Sequence, residues 1–403
     1  MKSAKQFTEA TSYGTFQSVR LGKEDPCRIR LRHCYIFSEN TCKHLDSMSW
    51  AEVQETFYNC LDFCAVHDRL PYFYITGGDP ILHPDFWQLL ELLKTHSIPF
   101  TILGNPFHLN DAVCQRLKNY GCEKYQLSID GLRETHDWFR KPGSFDTTLE
   151  KIGCINRAGI RSVVMTTVSG KNIDEVPGII DAVAAAGANV FAFARYCPTS
   201  GEKDTGIAPL RYRQLLADCD KKFKEYEAAG CTTYFNKKDH LWTLYEYEMG
   251  VFTLDGVYED GMIYGGCNCG NCHLTILPTG DVYACRRVQN SRVGNVFEDR
   301  LADVWVCQME QYRDYARFAI SSNYFRILHF LFRSSSSKLR SSMIFILSSE
   351  DFRFSTASDI LSSKTANCSL LMGSEKRIFS ASSSSAFFVF ASFSAPARIS
   401  MST

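Results

Sequence analysis

From residue 71 to residue 196 the chain alternates short apolar runs with longer stretches of helical periodicity. Tyr72–Thr76, Phe100–Leu103, Lys124–Ile129, Ser162–Val168 and Asn189–Ala194 read as strands, rich in β-branched and aromatic residues. Asp85–Lys94, Asp111–Lys118, Phe145–Ala158 and Glu175–Ala186 read as helices between them, with Gly121, Gly159 and Gly187 punctuating the junctions. Such a repeat predicts parallel strands joined by crossover helices, hence an α/β sheet or barrel. Ligands of these folds bind at the C-terminal ends of the strands, so the residues just past each strand are the informative ones.

The flanks differ in character. Leu210–Ala229 reads as a charged helical connector, and Gly265–Cys285 as a Gly/Cys-rich segment. The latter holds a strand pair around Leu274–Leu277 and Asp281–Tyr283, turned by Pro278-Thr279-Gly280-Asp281. Near Arg317 the composition changes to Ser and Phe, with Gly373 and Pro396 the sole glycine and proline beyond it. We expect five units: an N-terminal extension (1–19), a core barrel (20–205), a helical connector (206–262), a small Cys-rich domain (263–316) and a tail (317–403). The tail has no sustained period of 2 or 3.6, too few turn residues for a domain and too much Phe and Ile for ordinary disorder. It reads as out-of-frame or unrelated coding, with an aggregation-prone interaction segment as the alternative.

Lys plus Arg and Asp plus Glu both number 44, so the net charge is zero and leaves no footprint for nucleic acid or an anionic membrane. Met1–Gln17 lacks an apolar signal core, and no apolar run is long enough to span a bilayer. A cytoplasmic protein is the expectation. Seventeen cysteines in a chain of 403 residues then point to metal or cluster ligation rather than disulfides. Cys60, Cys64, Cys114, Cys154 and Cys219 lie in amphipathic stretches and read as core filling.

Four motifs remain. Cys27-Arg28-Ile29-Arg30-Leu31-Arg32-His33-Cys34-Tyr35 brings two thiolates close together in one loop, and thiolates are the soft anionic ligands suited to iron–sulfur clusters. Thr76-Gly77-Gly78-Asp79-Pro80 ends the first strand of the repeat, its glycines letting backbone approach a ligand. Ser128-Ile129-Asp130-Gly131 ends the third, followed by His136-Asp137 and by Arg140-Lys141-Pro142-Gly143-Ser144-Phe145. Gly266-Cys267-Asn268-Cys269-Gly270-Asn271-Cys272, with Gly280-Asp281-Val282-Tyr283-Ala284-Cys285, puts four cysteines around a turn. That pattern suits an auxiliary cluster or a zinc knuckle. Asn105, Thr167 and Arg195 end three more strands, where loop hydrogen bonding and ligand contact are equally good readings.

In order and spacing these motifs resemble the radical S-adenosylmethionine (radical SAM) superfamily, over roughly residues 20 to 200. The Cys27–Tyr35 loop resembles the family's C-x3-C-x2-C-aromatic loop, Gly77–Pro80 its GGEP-type turn, and Ser128–Gly131 its Ser-x-Asp-Gly signature. The Cys267–Cys285 segment resembles the opening of a SPASM domain. The resemblance implies a partial (β/α)6 barrel whose [4Fe–4S] cluster is held by thiolates including Cys27 and Cys34. It implies S-adenosyl-L-methionine contacts from Tyr35, Gly77, Gly78, Asp79, Pro80, Asn105, Ser128, Asp130, Thr167 and Arg195. It also implies an auxiliary iron–sulfur cluster on Cys267, Cys269, Cys272 and Cys285, although the later cysteines of a complete SPASM domain do not follow.

The activity so implied is radical modification of a ribosomal peptide or protein, a Cys-rich one among the candidates, fed by a donor such as flavodoxin or ferredoxin. One departure is central: the middle cysteine position holds Leu31, which cannot ligate iron. A pseudoenzyme that binds peptide or S-adenosylmethionine without cleaving it is therefore the competing reading, and a zinc-binding α/β protein a third. Trp242–Glu248 reads as a surface helix or as one wall of a peptide groove.

Overall fold

The structure, a computed structural model, describes residues 47–196, 206–239, 241–251, 274–285, 288, 290–310 and 312, and the backbone of 13–19 and 273. Its centre is one ten-stranded sheet. The strands are β1 (Tyr13–Val19), β2 (Leu70–Ile75), β3 (Phe100–Leu103), β4 (Cys122–Ser128), β5 (Arg161–Val168), β6 (Val190–Arg195) and β7 (Tyr234–Asn236), followed by β8 (His273–Ile276), β9 (Asp281–Tyr283) and β10 (Arg292–Asn295). Strands β1 to β7 lie side by side in chain order, each parallel to the next. β8 adds parallel to β1 on its other side, and β9 and β10 continue antiparallel. Nine helices accompany them among the described residues: α1 (Trp50–Val66), α2 (Phe86–Thr95), α3 (Asp111–Asn119), α4 (Arg133–Phe139), α5 (Ser144–Arg157), α6 (Val176–Ala185), α7 (Pro209–Ala228), α8 (Leu241–Glu248) and α9 (Leu301–Cys307). β2–β6 are the five strands read from the sequence; with β1 they make the six-stranded parallel α/β core, and because the sheet order does not return on itself the barrel is partial.

The local signals explain the elements. Ser49 and Glu52 form a reciprocal capping box that starts α1, and the Asn110 side chain accepts the Val113 amide to start α3. In β5, Ser162, Val164, Thr166 and Val168 are buried while the alternating residues are half-buried, so the sheet has one face under helices and one facing the barrel interior. Phe57, Phe73, Phe100, Phe191 and Phe193 are fully buried, with Phe57 and Phe73 stacked at 5.8 Å. Each such burial contributes about 1.5–3 kcal/mol before the entropy cost of ordering. Cys60, Cys64, Cys114, Cys154 and Cys219 are all buried in this core, as expected of core filling. No helix among the described residues is long and apolar enough to cross a membrane.

Three features depart from the sequence reading. Residues 13–19, placed in an extension outside the barrel, form β1 and sit between β2 and β8. The connector holds more than a helix: β7 joins the sheet beside β6. Trp242–Glu248 is neither a surface helix nor a groove wall at its aromatic end, since Trp242 is 1% exposed and packs against Phe193 and Phe223 at 5.8 Å each. The β8–β9 hairpin forms as read, with Gly280 at φ 79° in the turn.

The C-terminal segment is held to the barrel by one side chain above all. Asn59 Nδ2 on α1 donates to the carbonyls of Val296 (3.0 Å) and Asp299 (2.9 Å), and its Oδ1 accepts the Leu301 amide at 2.9 Å. Arg300 pairs with Asp62, and Phe63 meets Trp305 edge to face at 5.4 Å.

Candidate functional site

Parallel strands bring all their C-terminal ends to one side, and the residues read from the sequence as ending β2 to β6 lie there. β2 runs into Thr76, then Gly77 at φ 108° and Gly78 at φ 50°, conformations that side chains other than glycine rarely adopt. Pro80 opens a 3-10 turn over Pro80–Leu82 and fixes the exit. Asp79, between them, is 1% exposed. His108 Nδ1–H donates to its Oδ2 at 2.7 Å, while Oδ1 has no hydrogen-bond partner. Burial pushes the Asp79 carboxyl above the usual carboxylate range, against the pull of His108 and of the nearby Asn105 and Ile81 amides.

The loop after β3 is anchored to β4. The Gly104 amide donates to the Gln126 carbonyl (3.3 Å), and the Tyr125 hydroxyl donates to the Asn105 carbonyl (3.0 Å). A Cβ on Gly104 would lie 2.3 Å from the Tyr125 hydroxyl, so glycine is required there by space. Phe107 in this loop carries the Lys141 ammonium over its ring at 3.2 Å.

At the end of β4, Asp130 is fully buried and turned inward. Its Oδ2 accepts from Arg140 Nε (3.0 Å) and Nη2 (2.7 Å), and its Oδ1 accepts the Thr167 amide (2.9 Å). The Asp130 amide donates to His136 Nδ1 at 3.0 Å, which leaves Nε2 to carry the proton toward Ser144 Oγ at 3.1 Å. Asp137 accepts the amides of Gly143 (2.7 Å) and Phe145 (2.9 Å), and Asn172 Nδ2 donates to the carbonyls of Asp130 (2.8 Å) and Thr167 (2.9 Å). The His-Asp, Arg and Gly-Ser-Phe run is thus an internal frame that fixes the ends of β4 and β5 and leaves Ser128 and Thr167 half-buried. At the end of β6, Arg195 donates to Asp239 Oδ2 through its amide (2.9 Å) and Nε (3.2 Å), and its guanidinium lies 5.4 Å from the Tyr212 ring.

Gly77, Gly78, Asp79, Pro80, Asn105, Ser128, Asp130, Thr167 and Arg195 therefore share one side of the sheet, at the ends of adjacent strands. Cys27, Leu31, Cys34, Tyr35, Cys267, Cys269 and Cys272 lie outside the described residues, as does the tail beyond residue 312. β1, parallel to β2, ends at Val19 beside Ile75, the end of β2. Cys285 is half-buried after β9, its carbonyl accepting from Ser291 Oγ at 2.9 Å. Among the described residues no group of three or more His, Cys, Asp or Glu side chains is set to hold a metal. Burial raises the Cys60 thiol strongly, Cys64 to about 12 and Cys114 to about 11. A shallow depression of about 500 Å³ between α1 and residues 296–300 shares no residue with the strand-end set.

The sequence reading missed His108 and Asp239 and gave Arg140 no role. Arg140 lies inside a motif already quoted, so its pairing with a buried Asp was available from the pattern. His108 stands in a loop with no local signal, and only the fold of β3 beside β2 brings it to Asp79.

The model of the radical SAM superfamily matches residues 27–183, and that of an iron–sulfur cluster-binding domain, SPASM, matches residues 267–329. An AdoMet-dependent heme synthase of Methanosarcina barkeri is 25% identical over 248 residues, 58% of this chain and 68% of that protein. The mycofactocin maturase MftC of Mycobacterium ulcerans is 26% identical over 263 residues, 61% of this chain and 65% of that protein. The crystal structure of Streptococcus suis SuiB bound to its precursor peptide SuiA superposes with a TM-score of 0.56 at 17% identity, covering 73% of this chain and 65% of SuiB. The chain thus spans about two thirds of the length of each of these proteins.

Proposed function

Since the chain belongs to the radical SAM superfamily and carries a SPASM domain, we propose that it binds S-adenosyl-L-methionine at the strand-end mouth and modifies a ribosomal peptide or protein. The peptide reading is supported by relatives named as peptide maturases, such as the mycofactocin maturase. The observation that carries the cofactor reading is Asp79: a buried carboxylate oxygen without a partner, in a turn whose two left-handed glycines leave room for a ligand. An unpartnered buried acceptor is costly unless a donor arrives, and the cofactor's ammonium group is such a donor.

A one-electron-reduced [4Fe–4S] cluster, if held by the Cys27 and Cys34 loop, would supply the electron for cleaving the sulfonium of a bound S-adenosylmethionine into methionine and a 5′-deoxyadenosyl radical, the chemistry needed to take hydrogen from a C–H bond. The chain's own residues do the rest. Gly77 and Gly78 bring backbone to the methionine end, with Asp79 receiving the ammonium. The Asp130 frame holds Ser128 and Thr167 at adjacent strand ends, where hydroxyls suit ribose and carboxylate. Arg195, held by Asp239, adds a positive group to the same side. Burial of Asp79 and Asp130, and the hydrogen bonds that Asp130 and Asp239 make, hold these groups in place, which favours positioning over flexibility.

The cluster's donor set fits less well. Cys27 and Cys34 provide two thiolates, and Leu31 stands where the family's loop has a third. That observation favours a second reading, a protein that binds S-adenosylmethionine or peptide without cleaving the cofactor. Anaerobic reconstitution with iron and sulfide decides between them. Four irons per chain, an EPR signal on reduction and 5′-deoxyadenosine formation support the enzyme; bound S-adenosylmethionine without a cluster supports the second reading.

A further inference from the structure

We infer that His108 is a positioning residue for the ammonium group of S-adenosylmethionine, acting by holding Asp79 so that one carboxylate oxygen is occupied and the other is presented. This rests on the reading that S-adenosylmethionine binds at the strand-end mouth. The Asp79 carboxylate has two oxygens in unlike states: Oδ2 accepts from His108 Nδ1 at 2.7 Å, and Oδ1 is buried without a partner. A carboxylate rotates freely about its last bond unless something fixes it. The His108 imidazole does so from the side of Oδ2, with the Asn105 and Ile81 amides near the same carboxyl. Its own place is set from outside the turn, since its loop is tied to β4 by Gly104 and Tyr125 and weighted by Lys141 over Phe107.

The imidazole side chain is one-third exposed, against 1% for Asp79. It is therefore the outer member of the pair, and its removal leaves the packed core untouched. A single fixed acceptor oxygen favours a ligand with a positively charged donor over one with only neutral groups. The amino-acid end of S-adenosylmethionine meets that description, whereas 5′-methylthioadenosine, which keeps the nucleoside and loses that end, does not.

The test compares these two ligands by equilibrium dialysis against the full chain, the His108→Ala variant and the His108→Asn variant. Loss of an ordered charge-assisted hydrogen bond weakens binding by about tenfold or more. We expect that loss for S-adenosylmethionine in His108→Ala, unchanged binding of 5′-methylthioadenosine, and substantial recovery in His108→Asn, whose amide nitrogen can take the place of Nδ1. Equal weakening of both ligands would make His108 merely structural and overturn the inference, as would S-adenosylmethionine binding that His108→Ala leaves unchanged. A parent chain that binds neither ligand overturns the underlying cofactor reading and this inference with it.

Discussion

Arg140 and Asp130 face each other across the end of β4, with Nη2 2.7 Å and Nε 3.0 Å from the same buried carboxylate oxygen. Neither side chain has appreciable contact with water, at 8% and 0% exposure. Removing one member of such a pair leaves an unpaired buried charge, which costs about 3–5 kcal/mol. Arg140→Ala should therefore lower the urea midpoint far more than Arg157→Ala, which breaks the exposed Arg157–Asp111 pair. Equal shifts in the two variants would show that the Asp130 frame does not bear on stability.

Asn59 joins α1 to the segment that starts α9 through three hydrogen bonds. Asn59→Ala removes all three and should weaken that junction by about 1–3 kcal/mol. Amide exchange in residues 296–309 should rise while exchange in β3 and β4 stays as it was. Uniform loosening of both regions would show that the two parts unfold together.

Asp79 gives a pH signature. Its carboxyl is raised in the folded protein from an ordinary 3.8, chiefly by burial. Its contribution to stability is therefore complete below 3.8 and lost as pH rises through the folded value. Asp79→Asn removes that loss, at about 1.4 kcal/mol for each unit by which the folded value stands higher. The variant should gain on the parent as pH rises from about 4 through the raised value, while its S-adenosylmethionine binding falls. A parent-minus-variant difference that is flat across this range would contradict the assignment.

Much of the sheet was legible because strand and helix periods alternate so regularly between residues 71 and 196. β1 was not legible: Tyr13–Val19 mixes Gly14, Gln17 and Ser18 with its apolar residues and owes its strand to partners on both sides. β7 is three residues long inside a charged connector, too short for any period to show. Trp242 was misread because an aromatic, acidic octet looks amphipathic, yet its aromatic end fills the space between β6 and α7. At the site, residues following each strand were legible because topology alone sends them to one side. Their partners were not, since His108 and Asp239 reach Asp79 and Arg195 through the fold rather than through spacing in sequence.

Leu31 yields the sharpest chemical prediction. Leu31→Cys should raise iron content after anaerobic reconstitution and allow 5′-deoxyadenosine formation, whereas the parent should show little of either. Cys42 is the nearby thiol that a folded-back loop would bring to the cluster, so Cys42→Ala belongs in the same series. Robust 5′-deoxyadenosine formation by the parent that survives the loss of Cys42 would show that Cys27 and Cys34 suffice.

The pairing of β8 with β1 sets an order of events during synthesis. Thr15 bonds in register with His273, about 260 residues later. Until the ribosome has released β8, β1 has one bare edge, and unpaired strand edges template association between chains. A nascent or truncated chain ending before residue 273 would therefore be sticky along β1. The hairpin within the SPASM-matching region therefore also covers the outer edge of the barrel's first strand.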